Sequence, residues 1–102
     1  MVRKRDGRHE EFSRDKLLSG IRKACQKRPV TPAVMEELVD HIVATITAKF
    51  ETEVPGDEIG TLVMDGLREI DSVAYVRFAS VYRRFQEATD FVQEVKNLEA
   101  TR

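Results

Sequence analysis

The sequence has no tryptophan, one cysteine, two histidines and three prolines in 102 residues, and no apolar run near the 18 residues that a membrane-crossing helix needs. Each shortage excludes something. A single thiol, Cys25, rules out an internal disulfide framework and a cysteine-rich zinc site, and its place on an apolar stripe makes it a small core residue. His9 and His41 stand alone without ligand spacing, so no protein-bound metal is expected. No signal-peptide pattern or lipidation motif is present, which predicts a cytoplasmic chain without a membrane partner. There is also no Walker-type lysine loop and no nucleophile beside a base. Catalysis is not expected.

What is present is charge, unevenly placed. The chain has 17 Lys and Arg against 18 Asp and Glu, a net −1, which gives no bulk drive toward DNA or an anionic surface. Residues 1–30, however, hold 10 cations and 4 anions, a balance of +6, and leave −7 for the remainder. The first third is a cationic pole. With 41% hydrophobic residues, the whole of 1–102 reads as one domain able to bury a modest core.

The densest part of that pole is Val2 to Lys16. Asp6-Gly7 between short extended runs signals a two-residue hairpin over 2–12, with Arg5 opposite Arg8. Like charges facing each other across a ribbon repel unless an anion sits between them. Ser13 is a good N-cap, and Arg14 and Lys16 follow in the first helical turn, where a phosphate on the backbone N–H groups would make a lysine favourable. Two readings stay open on the residues alone. One is a polyphosphate site; the other is a solvated basic hairpin neutralised by Asp6, Glu10, Glu11 and Asp15.

Apolar spacing then predicts helices over about 13–26, 31–50, 56–69 and 72–86, with a weaker helical tail over 87–99. Thr31-Pro32 supplies an N-cap and an N1 proline, and Val54-Pro55-Gly56-Asp57 a break. The short Glu-Val-Pro piece before that break is expected to add an edge strand to the hairpin, which alone would be marginal. The fourth helix is apolar on more than one side: Ala74, Phe78, Val81 and Phe85 on one face, Tyr75, Ala79 and Tyr82 on another. Burial on both sides accounts for this, and Arg77, Arg83 and Arg84 add cations for a ligand or an interface.

The run Val2-Arg3-Lys4-Arg5-Asp6-Gly7, with Glu10, Phe12 and Asp15-Lys16-Leu17, resembles the ATP-cone, the regulatory nucleotide-binding domain of ribonucleotide reductases. The run from Asp71 to Phe85, with Arg28-Pro29-Val30 and Glu58 to Leu67, is similar to the ATP-cones of NrdR repressors, which control ribonucleotide reductase genes. The resemblance covers nearly the whole chain. It implies an α+β, mostly helical fold: a three-stranded sheet covering a four-helix bundle, here with an extra C-terminal helix. It implies ATP or dATP as ligand, with Mg²⁺ accompanying the triphosphate. Carried over by motif position, Lys4, Arg5 and Lys16 hold the phosphates, Glu10 and the Val2 backbone read the adenine, Gly60 lies near the sugar, and Tyr82 couples the site to assembly.

The resemblance further implies nucleotide-dependent self-association. NrdR repressors read DNA through a four-cysteine zinc ribbon, and a chain whose one cysteine is Cys25 is expected to bind neither zinc nor operator DNA by itself. The alternatives are the N-terminal cone of a ribonucleotide reductase large subunit, and a helical interaction module without nucleotide binding.

Overall fold

The computed structural model describes the backbone at residues 1–3, 9–51 and 53–100, and side chains throughout these except at 9–10, 85–86, 89–94 and 97–100. The order is β1 (Val2–Arg3), β2 (His9–Glu10), α1 (Arg14–Ala24), α2 (Pro32–Lys49), β3 (Val54–Pro55), α3 (Gly56–Ile70) and α4 (Ser72–Ala100). Mostly helical α+β architecture is what the spacing predicts, and it is what forms.

Local chemistry starts each helix where the sequence marks it. Ser13 Oγ accepts from the Lys16 N–H at 3.2 Å, and Thr31 Oγ1 accepts from the Val34 N–H at 3.2 Å with Pro32 in the first turn. Asp71 ends α3 and starts α4: its carboxylate accepts from the Ala74 N–H at 2.9 Å, and its carbonyl from the Tyr75 N–H at 3.0 Å. The same carboxylate receives Arg28 Nε at 3.1 Å on both oxygens, and its side chain is only 7% exposed. The Ala74 N–H, helped by Arg28, holds the Asp71 carboxyl below the usual carboxylate range.

The core forms where four helices meet. Ile21 of α1, Val39 and Ile42 of α2, Val63 and Leu67 of α3 and Ala74 of α4 are fully buried. Cys25 lies among them at 2% exposure, and burial pushes its thiol pKa up. Around the bundle α1 neighbours α2 and α4, and α3 does the same, so α2 and α4 occupy opposite corners.

β1 is the middle strand, antiparallel to β2 and parallel to β3. Pro55, which has no N–H to give, sits on an outer strand, where it is tolerated. In the ladder Val2 faces Glu10 and Arg3 faces His9. The expected Asp6-Gly7 turn and the Arg5–Arg8 pair fall on residues 4–8. The turn itself, residues 4–8, lies outside the described residues.

A correction concerns the C-terminus. No extra helix follows the bundle, because α4 runs unbroken for 29 residues from Ser72 to Ala100. That stretch contains neither proline nor glycine, and nothing in it stops the helical ladder. At 1.5 Å per residue it is about 43 Å long, roughly twice the 15-residue α3 beside it. The molecule is correspondingly drawn out, 53 × 30 × 19 Å, with a radius of gyration of 15.1 Å against about 13 Å for a compact chain of this length.

Candidate functional site

The backbone directions of α1, α3 and α4 decide which residues meet. α4 runs antiparallel to both neighbours. Arg77 donates to the carbonyls of Ala24 and Gln26 at the end of α1, and Gly20, one turn earlier on α1, faces Phe78. On the other side Arg68 donates to the Tyr75 hydroxyl, and Gly60, two turns earlier on α3, faces Tyr82. The N-termini of α1 and α3 therefore lie toward the same end, flanking the Tyr82 level of α4. Helix N-termini carry partial positive charge and N–H groups without helical partners, so two of them together favour an anionic ligand.

Tyr82 is the centre of that end. Its ring lies against Gly60, where an ideal Cβ would stand 2.6 Å from Cζ. Its hydroxyl donates to Asp57 Oδ1 at 3.3 Å. Phe78, one turn back on α4, stacks on it with ring centroids 6.2 Å apart and planes 12° from parallel. Such offset pairs favour one fixed arrangement beyond their buried area. The absence of a side chain at Gly60 is what admits the ring.

β1 crosses the start of α3. An ideal Cβ on Gly56 would lie 3.4 Å from the Arg3 carbonyl and 3.8 Å from Val2 Cγ1, so a small residue permits this approach. α3 has no side-chain cap, and Asp57 and Glu58 stand in its first turn. The two helix starts are thus chemically unlike. α1 offers Lys16 beside Asp15, and α3 offers Asp57 and Glu58, the latter paired with Lys49 at 2.8 Å.

Of the residues expected at a nucleotide site, the structure gathers Val2, Gly60 and Tyr82 around the α3 N-terminus. Val2 is 8% exposed, its side chain in the core and its backbone in the sheet. Lys16 is exposed and lies one turn before Gly20, on the flank of α1 that faces the Tyr82 level. Glu10 pairs with Val2 through the backbone, while its side chain is outside the described set. Lys4 and Arg5 also lie outside the described residues. Two of the other cations have structural partners. Arg14 donates to Asp40 of α2 at 2.7 Å, and Arg77 closes the carbonyl end of α1.

Sequence reasoning missed Asp57 and the stacking of Phe78 on Tyr82. The signals were Asp57 and Gly60 three apart on α3, and Phe78 and Tyr82 four apart on α4, spacings that stack residues on one helical face. Among the described residues no group of three or more His, Cys, Asp or Glu side chains is placed to hold a metal ion, and no helix is long and apolar enough to cross a membrane.

Comparison with known proteins adds the family. The model of the ATP cone domain matches residues 1–88. The transcriptional repressor NrdR of Pelotomaculum thermopropionicum is 53% identical over 98 residues, covering 96% of this chain and 59% of that protein. NrdR of Symbiobacterium thermophilum is 50% identical over 98 residues, covering 96% and 65%, and that of Clostridium perfringens 47% identical, covering 96% and 66%. The chain thus spans about three-fifths to two-thirds of the length of these relatives. With a match over residues 1–88 and identities near one half to NrdR repressors, the chain belongs to the ATP-cone family.

Proposed function

We propose that this chain is an adenine-nucleotide sensor: it binds ATP or dATP and converts the identity of the nucleotide into a change of assembly. In this reading it serves an NrdR-like repressor of ribonucleotide reductase genes, in which DNA is contacted by a zinc ribbon outside this chain. The observation that carries it is the meeting of two helix N-termini, one beside Lys16 and one beside Gly60, at the single level occupied by Tyr82. The unlike helix starts assign the ligand's ends. The triphosphate belongs with Lys16, Lys4 and Arg5, because α3 opens on the Asp57 carboxylate and on a Glu58 that already holds Lys49. The sugar belongs near Gly60 and the adenine near Glu10 and the Val2 backbone. Mg²⁺ enters on the triphosphate oxygens, to which its preference for a few carboxylates plus phosphates is suited.

The complete ATP-cone arrangement, a three-stranded sheet covering the bundle, belongs to this reading, as does the treatment of residues 1–102 as one domain. So do self-association and a non-enzymatic role, supported by relatives named as repressors. Those names favour it over a reductase large-subunit cone.

Isothermal titration with ATP, dATP and GTP tests the proposal. Binding of both adenine nucleotides, with GTP much weaker, is expected; heats equal to buffer dilution for ATP and dATP would overturn it. Lys4→Ala combined with Lys16→Ala is expected to weaken ATP binding far more than adenosine binding. Equal losses would show that the phosphates lie elsewhere.

A further inference from the structure

Two surfaces away from the candidate site have opposite charge and similar size. Between α2 and α3 runs a groove of about 460 Å³ whose floor is Val34, Leu38 and Leu62 and whose rim is Glu37, Asp65 and Glu69. On the outward side of α4 lies a shallow cleft of about 410 Å³ along Val76, Ser80, Arg83, Arg84 and Glu87, two cations against one carboxylate. Val76 is 58% exposed, unusually open for a β-branched apolar residue. None of the ion pairs among the described residues uses Glu37, Asp65, Glu69, Arg83 or Arg84.

We infer that these faces are the two halves of one interface, and that the groove of one molecule receives α4 of a second copy. Charge complementarity identifies the occupant. A rim of three carboxylates calls for a helix face of net positive charge with apolar contacts, and the outer side of α4 offers Arg83 and Arg84 against Glu87, with Val76 and Ala79 between turns. Val76, Ser80, Arg83 and Arg84 fall at i, i+4, i+7 and i+8, along one ridge. Successive residues on a helix point about 100° apart, so Arg83 and Arg84 straddle the ridge. One reaches the α3 wall with Asp65 and Glu69, and the other the α2 wall with Glu37. Because α2 and α4 occupy opposite corners of the bundle, a molecule cannot seat its own α4 in its own groove.

The contact is therefore head to tail. Such contacts propagate into rings or open chains instead of stopping at a two-fold dimer. The inference rests on these two faces and not on nucleotide binding. It goes beyond the proposed function by naming the surfaces that assembly would use. Tyr82 points inward from the same helix whose next two residues, Arg83 and Arg84, form the contact.

Sedimentation velocity over a concentration series, without nucleotide and with ATP or dATP, tests this. The unaltered chain is expected to form species larger than a dimer in at least one of these states, and to lose them at high salt. Arg83→Glu with Arg84→Glu, and separately Glu37→Lys with Asp65→Lys, are each expected to weaken association at least about tenfold, with unchanged helical circular dichroism. Mixed in equal amounts, the two variants still offer one intact groove and one intact α4 ridge. Their second contact pairs the two charge-reversed faces, so the mixture is expected to regain the assembly that neither variant forms alone. Monomers in all three states, variants that assemble like the unaltered chain, or a mixture that stays monomeric would each overturn the inference. Titration calorimetry on the same samples reads nucleotide binding separately.

Discussion

At Gly60 a missing side chain determines what α4 does. A methyl group there would run into the Tyr82 ring, which is held in place by its hydroxyl bond to Asp57 and its stacking on Phe78. Gly60→Ala is expected to cost about 1–3 kcal/mol of stability by overpacking, measured by urea unfolding. Tyr82→Phe, which keeps the ring and removes the hydroxyl, isolates the bond to Asp57 and is expected to leave the fold intact. Asp71 permits a test against pH. Its folded-state pKa is depressed, so its carboxylate stabilises the fold fully above the unfolded value of about 3.9 and loses that contribution as pH falls through the folded value. The gap in melting temperature between the native chain and Asp71→Asn is therefore expected to be full at neutral pH and to close below about pH 4. Asparagine can still cap the helix, so the difference reads the charge.

At the scale of elements, the helix starts were legible because capping is local. Ser13 and Thr31-Pro32 announce helices within four residues of chain, and both caps form. Thr31→Ala is expected to cost about 1 kcal/mol, read from the urea midpoint at an unchanged slope. Helix ends were less legible. α1 stops at Ala24 with Lys27 at a φ of 60°, a left-handed position that the residue type does not advertise. Lys27→Gly relieves that conformation at some cost in unfolded-chain entropy, and is expected to raise stability by a few tenths to 1 kcal/mol in thermal melts. The break expected near Gln86 followed a fall in apolar density, but density governs packing and does not stop a helix. The strand pairing was legible only in part: an edge strand from Glu-Val-Pro was expected, and Val2 pairs with both Glu10 and Val54, a register decided by the sheet as a whole.

For the whole molecule, periodicity exposed the core because burial on one face of each helix needs only the helical repeat. Ile21, Ile42 and Leu67 stand at helical spacing on the apolar stripes of α1, α2 and α3, and all are fully buried. Ile42→Ala is expected to cost about 2–5 kcal/mol, checked by chemical denaturation, since its neighbours on α1 and α3 cannot close the void completely. What spacing could not supply was the mutual register of α1, α3 and α4. The meeting of Asp57, Gly60, Phe78 and Tyr82 depends on that register: Gly60 and Tyr82 were expected at the site, while the Tyr82 bond to Asp57 and the stacking of Phe78 on Tyr82 were not. The same register has a mechanical result. α4 is clamped at its start, where Asp71 binds Arg28 and Arg77 grips the end of α1, while its far half extends past the end of α3. With the fulcrum at Ser72, Tyr82 lies about 15 Å along the rod and Ala100 about 42 Å. A sideways push of 1 Å at the tyrosine would swing the tip by nearly three times as much, making α4 a lever that magnifies events beside Gly60.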